Sequence, residues 1–264
     1  MITSIQNPKI KLVHKLHSKA RERKASNLFV IEGAREISFA LEKQYRLDTL
    51  FVCTDLYAGS KYPAVLKQID PAICYEVSAP VFQKIAYREC SDGLLALATP
   101  KSHGLSDLHL SANPFVIVLE AVEKPGNLGA ILRTADAAHV DAVVVCDPLT
   151  DVYNPNTIRS SVGCVFTVPI AVCSNQEALN YLRQNDILTF AAELNATQHY
   201  HETDFRRPSA IVMGTEDDGL SSFWLDCAEE HIKIPMRGAI DSLNVSVSTA
   251  IITFEAMRQR GFQL

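Results

Sequence analysis

Apolar residues in this chain gather into short unbroken runs, and between those runs they recur at helical spacing. Leu28-Phe29-Val30-Ile31, Leu47 to Cys53, Ile73 to Val77 and Leu94 to Ala98 read as strands. Between them, Asn7 to Arg23 reads as a helix with a narrow stripe of Ile10, Val13 and Leu16, started by Asn7-Pro8. Further helices are expected through Ile37, Ala40 and Leu41, over Tyr62 to Ile69 and over Pro80 to Ala86. This alternation makes residues 1–98 one small α/β domain. Residues 99–113, rich in Ser, Gly, Pro and His, break the rhythm and read as a linker. It resumes over 114–264, with strands at Phe115 to Leu119, Ala142 to Cys146, Thr167 to Val172, Ile187 to Ala192 and Ala210 to Met213. Helices are expected over Asn127 to Ala138, Pro155 to Ser161 and Gln176 to Gln184. Val116-Ile117-Val118-Leu119 and Ala142-Val143-Val144-Val145 carry no polar alternation, which fits strands covered on both faces of a mainly parallel sheet.

One stretch resists the pattern. A strand ending at Pro235 leads into Met236-Arg237-Gly238-Ala239-Ile240-Asp241 and then Ser242-Leu243-Asn244-Val245-Ser246-Val247-Ser248. The last seven residues alternate like a half-buried strand, yet a helical series at 243, 247, 250, 251, 254 and 257 begins inside them. Such conflicts collect at functional sites.

A length of 264 residues suits two domains. No apolar run approaches a membrane span and the N-terminus lacks a signal-like apolar region, so a soluble cytoplasmic protein is expected. Seven scattered cysteines without a C-x-x-C pair read as reduced thiols. The net charge of -5 hides an asymmetry: residues 1–35 hold eight Lys/Arg (9, 11, 15, 19, 21, 23, 24, 35) against two Glu. A basic arm on an acidic body suits a polyanion, and a solvated helix face would look the same.

Three stretches could carry chemistry. In Glu120-Ala121-Val122-Glu123-Lys124-Pro125-Gly126-Asn127-Leu128-Gly129-Ala130-Ile131-Leu132-Arg133, a strand opens into a helix whose first amides are free for a polar ligand. Arg133 lies off the buried stripe, where it either serves a site or pairs with Asp136. Gly126 and Gly129 do not complete a dinucleotide fingerprint. In Gly214-Thr215-Glu216-Asp217-Asp218-Gly219, three acids between glycines would repel a phosphate and suit a neutral or cationic ligand, or an arginine. They would equally suit the first turn of a helix. In the third, the conflicted stretch above, Asn244 with Ser242 or Ser246 can give directed hydrogen bonds, and Ser242 could simply cap a helix. His199-Tyr200-His201 lacks a third ligand at metal spacing and reads as surface loop.

In order, spacing and residues, these stretches resemble the three motifs of the SpoU (TrmH) branch of the SPOUT methyltransferases. Phe29-Val30-Ile31-Glu32-Gly33-Ala34-Arg35-Glu36 is similar to the start of the L30e-like substrate-binding domain that many ribosomal-RNA members carry. The resemblance implies S-adenosyl-L-methionine-dependent 2'-O-ribose methylation of RNA, with 23S rRNA expected first and tRNA second. A non-catalytic RNA-binding module is the reading from another class. It also implies a trefoil-knotted domain with a parallel sheet, a homodimer formed through the last helix, and no metal. Carried over by position, Gly214, Ile234 and Leu243 would contact the cofactor, with Met236 and Gly238 shaping its pocket. Asn127, Arg133, Glu216, Ser242 and Asn244 would form the catalytic set. Lys124 stands where Asn is commoner, Asp217-Asp218 replaces a Glu-Gly-like pair, and Ser248 replaces the usual Ala.

Overall fold

The computed structural model describes residues 1–57 and 64–262. The chain divides into two compact units: Met1–Lys101 with Asp151–Thr167, and Ser102–Thr150 with Val168–Leu264. This differs from the sequence-based boundaries in two ways. The stretch read as a linker mostly joins the second unit, and residues 151–167, read as part of the second domain, belong to the first.

The first unit is built on a four-stranded sheet of β1 (Phe29–Glu32), β2 (Leu47–Val52), β3 (Cys74–Glu76) and β4 (Leu94–Ala98), in the order β1-β4-β2-β3. β4 runs antiparallel to both neighbours and β2 pairs parallel with β3. The basic segment is two helices rather than one, Pro8–Ser18 and Ala20–Ser26. Lys19 takes an extended conformation (φ -130°, ψ 112°) between them, and Asn27 ends the second in the left-handed region. Ile10, Val13 and Leu16 are buried as the stripe requires. Arg23 is buried as well, donating to the carbonyl of Leu16 and pairing with Asp151. Tyr153 stacks on Phe29 at 4.1 Å and shares a hydroxyl hydrogen bond with Tyr45. These contacts give residues 151–167 their place in this unit. Where a helix was expected over Tyr62 to Ile69, a short 3-10 turn occupies Val65–Gln68, and Tyr62 and Pro63 lie outside the described residues.

The second unit holds a wholly parallel sheet of β5 (Phe115–Glu120), β6 (Ala142–Cys146), β7 (Ile170–Cys173), β8 (Leu188–Ala192), β9 (Gln198–His199), β10 (Ser209–Met213) and β11 (Glu230–Lys233). The strand order is β7-β6-β5-β10-β8-β11-β9. β5, β6 and β10 are buried throughout, which is why their sequences show no polar alternation. β7 starts later than the sequence suggests, because Cys164–Thr167 closes a helical turn first. The strand expected to end at Pro235 stops at Lys233, and residues 234–244 form an irregular loop. From β5 the chain moves outward through β6 and β7, then returns to build the other half, so the order reverses between β5 and β10. Their carboxyl ends therefore flank a crevice.

The last helix, Val245–Gln259, packs on the helix Pro125–Ala138. Its buried residues are Thr249, Ile252, Thr253, Ala256 and Met257. Of the stripe read from the sequence, only Met257 is buried; Val247 and Phe254 are 47% and 42% exposed. Just beyond this helix, the Arg260 guanidinium donates to the carbonyls of Asn113, Pro114, Phe205 and Arg207 at the amino ends of β5 and β10. Among the described residues no helix is long and apolar enough to cross a membrane.

Candidate functional site

Four strand ends of the second unit deliver loops to one edge of the sheet. β8 leads into Glu193-Leu194-Asn195, β10 into the loop from Gly214 to Leu220, and β11 into the irregular loop. With the first turn of the last helix they enclose a cleft of about 370 Å³ lined by Leu194, Gly214, Leu220, Ile234, Leu243 and Ile252, among others. The loop after β10 doubles back on itself: Thr215 N–H donates to the carbonyl of Gly219 at 2.9 Å. A Cβ on Gly214 would lie 2.1 Å from the Gly219 carbonyl carbon, so only glycine permits this approach.

β5 supplies the fourth loop. Past Glu120 the chain enters the helix Pro125–Ala138, whose first turn carries Asn127. Asn127 Nδ2 donates to Glu216 Oε1 at 2.7 Å, and Asn244 Nδ2 donates to that same oxygen and to Asn127 Oδ1. Asn244 also caps the last helix, its Oδ1 accepting from Ser246 N–H at 3.0 Å. One carboxylate thus gathers an amide from each of two helix starts.

Lys124 occupies the N-cap position of the Pro125–Ala138 helix and gives it no side-chain cap, since an ammonium has nothing to accept with. It forms an ion pair with Glu216 instead. The hydrogen bond from Lys124, helped by that from Asn127, holds the Glu216 carboxyl below its ordinary range. Glu216 is therefore a charged anchor at neutral pH, and the cation paired with it is Lys124. Arg133 is exposed on the Pro125–Ala138 helix. Gly129, one turn before it, is buried.

Of the other residues singled out from the sequence, Gly214, Ile234, Ser242 and Leu243 line the cleft. Ser242 is exposed, with its hydroxyl 3.3 Å from Asp241 Oδ1. Met236 and Gly238 are not among the lining residues, and Gly238 has open space where a side chain would go. The residues at the end of β8 carried no signal in the sequence, because Leu194 and Asn195 belong to no motif. His199 and His201 gain a third donor in Glu202, all within 4.8 Å and accessible to solvent; the Glu202 carboxylate already accepts from His199 N–H.

Residues 114–254 match the profile of the SpoU rRNA Methylase family. The chain belongs to that family. Residues 7–96 of this SpoU-family chain match the MRM3-like substrate binding domain. It is 28% identical to the 23S rRNA (guanosine(2553)-2'-O)-methyltransferase RlmP of Bacillus subtilis (strain 168), over 96% of this chain and 97% of that protein. Among solved structures, one described as an RNA 2'-O ribose methyltransferase aligns with a TM-score of 0.85 and 38% identity, covering 98% of each chain. An AdoMet-bound rRNA methyltransferase from Sinorhizobium meliloti aligns with a TM-score of 0.87 and 28% identity, covering 97% of each. The SpoU assignment explains why the three motifs, distant in sequence, meet at one edge of the sheet.

Proposed function

We propose that the chain transfers a methyl group from S-adenosyl-L-methionine to a ribose 2'-hydroxyl of RNA, with 23S rRNA as the substrate. The observation that carries this reading is the convergence of Asn127, Glu216 and Asn244 beside the cleft at the switch point of the sheet.

The cleft fits the cofactor in size, and the close Gly214–Gly219 approach leaves backbone groups bare along one wall. Ile234, Leu243 and Ile252 offer an apolar surface, while Glu216, Asp217, Asp218 and Asp241 line it with negative charge that suits a cation. When bound, S-adenosyl-L-methionine supplies an already activated methyl group, so the protein's task is placement. Glu216 fixes the carboxamides of Asn127 and Asn244 at the cleft edge, where Asn127 can orient a ribose. Arg133, exposed on the helix that carries Asn127, is the cation we assign to an RNA phosphate next to the reacting hydroxyl. A guanidinium is not deprotonated in proteins, so Arg133 orients rather than accepts the proton. Ser242, at the cleft wall, completes the set. Met236 and Gly238 act through the path of their loop.

Val247, Ala250, Ile251 and Phe254 lie at i, i+3, i+4 and i+7 on the last helix, on a face that its own unit leaves partly or largely uncovered. We assign this face to a homodimer contact in a cytoplasmic enzyme. Phe254→Glu should convert a sedimenting dimer to monomer; a dimer that survives the change removes the assignment.

The decisive assay is transfer of label from methyl-labelled S-adenosyl-L-methionine to total rRNA, with tRNA in a parallel reaction. Label in rRNA alone is expected. Label in tRNA alone would move the substrate assignment. Cofactor binding without transfer to either RNA would leave a non-catalytic RNA-binding module.

A further inference from the structure

Glu120, the last residue of β5, is 4% exposed and lies outside the cluster of Asn127, Glu216 and Asn244. Its carboxylate is filled by donors from two helix starts. Oε1 accepts from Ser221 Oγ at 2.6 Å and Asn175 Nδ2 at 2.8 Å, and Oε2 accepts from Ser221 N–H at 2.8 Å. Asn175 is itself held from both ends: its N–H donates to Asp147 Oδ2 at 3.1 Å, and its Oδ1 accepts from the buried Trp224 Nε1 at 2.7 Å. Ser221 is where the loop that began at Gly214 ends and the helix Ser222–Cys227 starts.

We infer that Glu120 is a positioning residue that pins the closing end of the Gly214–Ser221 loop, thereby setting the cleft wall. The loop has two anchors. The backbone closure of Gly214 on Gly219 fixes its shape, and the Glu120–Ser221 bonds fix where that shape sits against the sheet. Glu216 is held from neighbouring elements by Lys124, Asn127 and Asn244, whereas Asp217 and Asp218 beyond it are exposed, so the stretch that closes the loop is fixed at Ser221. A carboxylate can accept from both the amide and the hydroxyl of Ser221 while still receiving Asn175. A carboxamide turns one of these contacts into an N–H facing an N–H.

The inference rests on the cofactor assignment made under the proposed function, and it is tested without relying on methyl transfer. Three variants of the full chain suffice: Glu120→Gln, Ser221→Ala and Ser221→Thr. Hydrogen exchange in the cofactor-free protein should accelerate roughly tenfold or more at amides 215–221 in the first two, while amides of β5 and β10 keep their protection. Calorimetric affinity for S-adenosyl-L-methionine should fall roughly tenfold in both, with KM for that cofactor rising in step and kcat at saturation changing far less. Ser221→Thr, which keeps hydroxyl and amide, should restore wild-type exchange and affinity. Uniform acceleration of exchange, or local acceleration with unchanged affinity, would reduce Glu120 to a satisfied core residue and overturn the inference. If Glu120→Gln does not fold, the Ser221 pair decides alone. Wild-type protein that binds the cofactor yet methylates no RNA would defeat the proposed function and leave the loop result standing.

Discussion

Asn127, Glu216 and Asn244 divide two tasks between similar groups. The two carboxamides meet each other at the cleft edge, and the Glu216 carboxylate, paired with Lys124, holds them in register. Arg133 stands apart as an exposed cation. Replacing Arg133 by Ala should therefore lower kcat/KM for RNA by about a hundredfold or more while leaving calorimetric cofactor affinity unchanged; equal loss of both would return Arg133 to the cofactor pocket. In the first unit, His17 gives a separate residue-scale test. Its Nε2 lies 2.9 Å from the Ile85 carbonyl, and burial pushes its pKa down to about 4 from 6.5. The folded state thus holds His17 neutral where the unfolded chain would take a proton. Stability from this group is complete above pH 6.5, declines as pH falls and is gone below about pH 4. Thermal midpoints measured from pH 7 to pH 4 should fall more steeply in the wild type than in His17→Gln.

At the scale of elements, the basic arm has a mixed character that its charge count conceals. Ile10, Val13, Leu16 and Arg23 are part of the core, while Lys11, Lys15, Lys19 and Lys24 are exposed. Deleting the arm would remove core and charge together. Changing those four lysines to Gln isolates the charge, and if all four meet phosphates the slope of log affinity for single-stranded RNA against log salt should flatten by about 3. An unchanged slope makes the arm a solvated face. The elements also mark what could be read in advance. β5, β6 and β10 were legible because a strand buried on both faces needs continuous apolar sequence. The break at Lys19 was not, since a lysine is at home in a helix and only its φ and ψ give the break away. The last helix misled in a different way: with apolar residues on two faces, periodicity found 247, 250, 251 and 254, and the unit's own core took 249, 252, 253 and 256. Glu120 escaped notice because burial of an acid depends on distant donors at 175 and 221 that no local pattern announces.

For the molecule as a whole, the site depends on how each unit closes. Residues 151–167 follow two strands' worth of second-unit sequence yet fold with the first unit, a division set by Arg23, Tyr45 and Phe29, which no boundary rule based on linker composition detects. The second unit closes through Arg260, whose guanidinium joins four backbone carbonyls to the end of the last helix. Arg260→Gln should lower unfolding free energy in denaturant by about 2 kcal/mol and raise hydrogen exchange along Val245–Gln259 before it affects β6. Loss of protection spread evenly over the sheet would mean that the helix is held by its packing face alone.

The placement of Asn244 also bears on biosynthesis. It meets Asn127 across 117 positions of sequence, so a growing chain that has already built β5 and the helix after it still lacks one member of the site until residues 244–260 have left the ribosome. A partly made chain therefore has the first unit's basic arm long before Asn127, Glu216 and Asn244 can meet. Ribosome-bound chains stalled before residue 244 should hold RNA but carry no methyl transfer, and activity should switch on over the span in which Asn244 and then Arg260 emerge.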